Sequence, residues 1–136
     1  MADHHLPYDE SLVKYCKYGG LIDAETEEAV DSLLALKKKP DSIVAASDKL
    51  STGCLAALAR RKVRVPEEMG IVGFTNSLLT DIFHPALTSV RQPAFEMGQV
   101  AMEMLIDIIE SKHPISKFET RVLNTELTVR SSSLKS

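Results

Sequence analysis

The chain has 136 residues, enough for one domain with a core of ordinary proportions. Its composition, 44% hydrophobic and 26% charged, is that of a soluble globular protein, and a net charge of -3 with a pI near 5.8 argues against a surface that holds nucleic acid by neutralising phosphates. No stretch approaches the ~20 apolar residues of a membrane span and no charged-then-apolar leader opens the chain, so the expected location is cytoplasmic, with no membrane partner.

The opening MADHHLPYDESL reads as the end of a helix and the loop after it, which makes Met1 internal to a longer protein. Leu12 to Tyr18 alternates loosely and fits a strand, closed by Gly19 and Gly20. Asp23 sits at an N-cap position, Glu25, Glu27 and Glu28 follow, and Lys37, Lys38 and Lys39 lie at the far end before Pro40. Acid first and base last suits a helix dipole, with Val30, Leu33, Leu34 and Lys37 at helical spacing. Cys16 and Cys54, the two cysteines, are far apart in sequence and read as small buried thiols in a reducing compartment.

Ser42 to Ala46 is a short apolar run, as expected of a parallel strand buried on both faces. Ser47 or Asp48 caps the next helix, whose apolar face is Leu50, Cys54, Ala57 and Leu58 and whose end is basic. Ile71 to Phe74 is the next strand, and a second short strand and a Pro-broken crossover follow. Two βαβ units predict an α/β fold, a doubly wound, mainly parallel sheet with helices on both faces. The helix from Ala94 to Ser111 keeps its polar residues Glu96, Gln99, Glu103, Asp107 and Glu110 in one stripe, so it is built to be covered on more than one side. Thr120 to Arg130 gives two short extended runs around Asn124, and the tail SSSLKS is expected to fray.

Chemistry-bearing patterns are few. GxSxG, P-loop and GxGxxG motifs are absent, and the four histidines His4, His5, His84 and His113 have neither i, i+4 partners nor carboxylate companions. No enzyme, metal or cofactor is expected. Two polar clusters do stand out: Ser47 with Asp48, and Thr75 with Asn76, each at the carboxyl end of a predicted parallel strand. Open α/β sheets bind ligands outside those ends, where hydroxyl and amide groups can exchange hydrogen bonds with a polar ligand.

A helix ending in basic residues, V-x-V-P-E at Val63 to Glu67, the V-G-F strand, P-x-L-T before Ser89, the R-Q-P of Arg91 to Pro93 and a closing LNTELTVRSS together resemble the effector-binding core of the LacI family of bacterial transcription regulators. The resemblance covers roughly Pro40 to Ser132. It implies one lobe of a periplasmic-binding-protein-like fold: residues 12–93 and 120–132 as the C-terminal lobe, and 94–111 as a helix that packs on an N-terminal lobe absent from this chain. By position it implies ligand contacts at Ser47, Asp48, Thr75, Asn76, Gln92 and Leu21. Thr75 replaces the family's clamping Asp and so removes a charge-assisted bond to paired hydroxyls, while Leu21 falls where some relatives stack an aromatic. The effector class implied is sugar or nucleoside-like. The family also dimerises through this lobe, which implies a homodimer contact at Thr52, Leu55, Leu79, Ile82 and Phe83. Operator DNA would be reached only through a headpiece outside this chain. The alternative is a lobe of a periplasmic sugar-binding transport protein.

Overall fold

Residues 8–17, 22–76, 78–111 and 118–135 are described by the computed structural model. Four strands, β1 (Ser42–Ala45), β2 (Gly70–Phe74), β3 (Thr88–Arg91) and β4 (Glu126–Thr128), form one sheet in that order. β1, β2 and β3 run parallel and β4 returns antiparallel to β3. The helices are α1 (Ile22–Leu34), α2 (Asp48–Arg60) and α3 (Ala94–Glu110).

The pleat explains which face is covered. Ile43 pairs with Ile71 and Ala45 with Gly73, so these four point to one side, where α2 lies on them and α1 packs on α2. Val30, Leu33, Cys54, Ala57, Leu58, Met69, Ile71 and Leu87 complete the buried core there. Gly73 is required by this approach: a Cβ at that position would stand 2.7 Å from Ser51 Oγ and 3.0 Å from Leu87 Cδ2. Outside the core, Arg61 ties the two helices by donating to Asp31, with Glu27 alongside.

Several expectations are corrected. Leu12 to Tyr18 is not a strand over its described residues: a 3-10 turn occupies Glu10–Leu12, and residues 13–17 join no sheet. Asp9 accepts from Ser11 N and Oγ at 2.9 and 2.7 Å, a local bond that competes with a ladder, and the exposed Tyr15 offers no buried face. α1 stops at Leu34, short of the lysines, because the chain tightens through Leu36 N to Leu33 O and lays Leu36 against the core. β1 is buried on one face only; Val44 is 76% exposed. On that second face Val44 pairs with Val72, Phe74 stands beside Val90 and Val90 beside Leu127; Val44 and Leu127 are exposed and the other three part-buried.

The tail is anchored, not frayed, at Ser132. That residue is fully buried, its Oγ donates to Ile71 O (2.7 Å) and accepts from Thr88 N (2.8 Å), and its carbonyl accepts from Ile71 N (2.9 Å). Ser132 thus fills the gap between β2 and β3 ahead of their first paired residues. α3, by contrast, contributes no buried residue.

Candidate ligand-binding rim

Parallel β1 and β2 end side by side, so the turns after them open on one edge. Ser47 follows β1 as the N-cap of α2, its Oγ accepting from Leu50 N at 3.3 Å. Asp48 is the first residue of that helix, and its carboxylate accepts a hydrogen bond from Thr75 Oγ1, the residue just past β2. Thr75 is only 3% exposed, so its hydroxyl serves Asp48 from beneath while the Asp48 residue itself faces solvent. Asn76 comes next, exposed, with its Oδ1 accepting from Gln92 N at 2.8 Å.

Two hydrogen bonds therefore stitch the sequence-predicted rim into a row: Asp48 to Thr75 across β1 and β2, and Asn76 to Gln92 across the end of β3. Ser47 belongs to the same edge but spends its oxygen on the cap. Leu21 lies outside the described residues, and Leu79 has a described backbone only. Of the other residues assigned to self-association, Thr52 is exposed with its Oγ1 turned back to Asp48 O and Lys49 O. Leu55 and Phe83 rest partly on the core, and Ile82 is 65% exposed.

Asn76 and Gln92 border a concavity of about 420 Å³ completed by Arg91, Pro93, Phe95, Asn124 and Glu126. A smaller one of about 130 Å³ lies beside it, walled by Thr75, Thr80, Asp81, Ser89, Thr128 and Arg130 among others. Amide, hydroxyl, carboxylate and guanidinium groups supply both donors and acceptors, which suits a neutral, hydroxyl-rich ligand better than a hydrocarbon. Arg91, Asn124, Glu126 and Arg130 escape the sequence reading. Arg91 and Glu126 are direct cross-strand partners of opposite charge, and that pairing of charges at the ends of two short extended runs is the signal that could have found them. Among the described residues no group of three or more His, Cys, Asp or Glu side chains could hold a metal ion, and no helix is long and apolar enough to cross a membrane.

Residues 3–133 match the family described as a periplasmic binding protein-like domain. The chain belongs to that family. It is 33% identical over 114 residues to the HTH-type transcriptional regulator RegA of Clostridium acetobutylicum, a match spanning 84% of this chain and 33% of that protein. Transcription regulator CcpA of Lactococcus lactis superposes with a TM-score of 0.79 at 29% identity, over 98% of this chain and 46% of the other. A sugar-binding transcriptional regulator of the LacI family from Escherichia coli, solved with phosphate, gives 0.75 at 30% identity over 96% and 45%. The chain thus spans about a third of the length of the curated relative it matches. The periplasmic-binding-protein-like fold and the likeness to LacI-type regulators both stand, and regulators of this kind do not favour the transport-protein alternative.

Proposed function

We propose that this chain is the ligand-sensing and self-associating part of a LacI-type transcription regulator, acting in the cytoplasm without a cofactor. The observation that carries the reading is the polar row at the carboxyl edge of the parallel strands, Asp48 with Thr75 and Asn76 with Gln92. Residues 12–93 and 120–132 form one wall of a cleft, and the apolar α3, leaving at Pro93, belongs to the opposing lobe. An effector of sugar or nucleoside type bound between the walls biases an open-closed equilibrium, which a dimer through Thr52, Leu55, Leu79, Ile82 and Phe83 relays to a DNA-binding headpiece. Couplings of this kind are worth about 1 to 3 kcal/mol. Asp48 holds an exposed carboxylate braced by Thr75, Asn76 offers its amide nitrogen, and Ser47 and Gln92 flank them.

A thermal-shift panel of monosaccharides, disaccharides and nucleosides on the full-length regulator, where both walls of the cleft are present, followed by titration calorimetry, tests the reading. At least one compound should stabilise the protein, and Asp48→Ala and Asn76→Ala should each weaken its binding tenfold or more. A panel with no binder, or binding indifferent to both substitutions, would overturn it.

A further inference from the structure

Arg130 lies two residues past β4 with its side chain only 20% exposed. Its Nε donates to Asp81 Oδ1 at 2.5 Å, and its Nη1 donates to Leu87 O at 3.0 Å and to Ser89 Oγ at 3.2 Å. One guanidinium thus joins the edge of β3 to the 3-10 turn Leu78–Asp81. Leu87 N donates to Thr80 O at 2.8 Å, so the turn is held at two successive residues. Directly after them come the exposed Ile82 and the half-buried Phe83.

The Asp81 carboxylate is 71% exposed, so it contributes little to the core and the ion pair little to global stability. What it does provide is direction. A planar guanidinium fork whose Nη1 is fixed on Leu87 O, just before β3, and on Ser89 Oγ within it can hold an acceptor at one angle, which an ammonium could not. We infer that Arg130 is a positioning residue for self-association: acting through Asp81, it sets the orientation of residues 80–83 so that Ile82 meets a second copy of the chain on a fixed surface. This rests on the dimer contact proposed above.

Sedimentation velocity over a concentration series decides it, using the chain itself, Asp81→Asn, Arg130→Met and the double variant, with urea unfolding run alongside. The unaltered chain should self-associate. Asp81→Asn should weaken the dimer about three- to fivefold, Arg130→Met at least as much because it also gives up Leu87 O and Ser89 Oγ, and the double variant no more than Arg130→Met, since both act through the one ion pair. At a protein concentration where the chain is monomeric, Asp81→Asn should leave the urea midpoint unchanged, so that a weakened dimer reports orientation and not a loss of folding. If Arg130→Met fails to fold, Asp81→Asn carries the test alone. A dimer unaffected by Asp81→Asn overturns the inference and leaves the dimer reading standing. An unaltered chain that stays monomeric removes the dimer reading, and the inference falls with it.

Discussion

The Thr75 hydroxyl donates to the Asp48 carboxylate and so locks the turn after β2 onto the first residue of α2. A threonine in this place acts as a donor to a neighbouring acid. Thr75→Asp would set two carboxylates against each other at a position 3% exposed. It should cost about 1 to 3 kcal/mol at neutral pH, with one of the two acids raised in pKa, and stability should recover as acid protonates it. Thr75→Val, which keeps the volume, should lose only about 1 kcal/mol and show no such recovery. Urea unfolding at pH 7 and pH 5 separates the two.

Gly73→Ala should destabilise by about 1 to 3 kcal/mol, because the added methyl meets Ser51 Oγ at 2.7 Å and α2 cannot withdraw without opening the core. Ser51→Ala in the same chain removes the nearest obstacle and should return part of the loss. Additive losses in a double-mutant comparison would show that the strain lies elsewhere, with Leu87 Cδ2 at 3.0 Å the next contact.

Ser132→Ala should cost about 1 to 3 kcal/mol, since it strips Thr88 N of its acceptor in a site closed to water. Ser131→Ala, one residue earlier and exposed, should be within about 0.5 kcal/mol of the parent. Hydrogen exchange at the Thr88 amide should quicken in the first variant and not in the second.

Burial, with Cys16 adding a smaller push, raises the Cys54 thiol from its ordinary 9.0 to about 11. The raised value means that the folded state holds the proton more tightly than the unfolded chain. Its stabilising contribution is therefore complete below pH 9 and is lost as pH climbs toward 11. The stability of the parent should fall across that window more steeply than that of Cys54→Ala. A thiol reagent at pH 8 should label the half-buried Cys16 well before Cys54.

Much of this architecture was legible because local and tertiary signals agree. The run Ser42 to Ala46, the capped helix after Ser47 and the strand Ile71 to Phe74 each carry their own boundary residues, and the structure forms an element at each. The polar ends of β1 and β2 followed from parallel topology alone. What failed depended on partners that no local pattern encodes. Val13 to Lys17 has an alternation but no neighbouring strand to pair with, and the serine-rich tail reads as solvated until Ile71 and Thr88 are brought to Ser132. Arg130 carried no sequence signal for the same reason: its acceptors come from residues 81, 87 and 89, assembled only by the fold.

The antiparallel return of β4 has a mechanical consequence. The chain departs toward α3 from the end of β3 and comes back at the start of β4, with Arg91 beside Glu126 where the two crossings touch. A body moored by two adjacent ribbons resists sliding yet can still twist about the line between its moorings. Along the 17 residues of α3, about 25 Å of helix, a twist of about 5° at the base would carry the tip through about 2 Å.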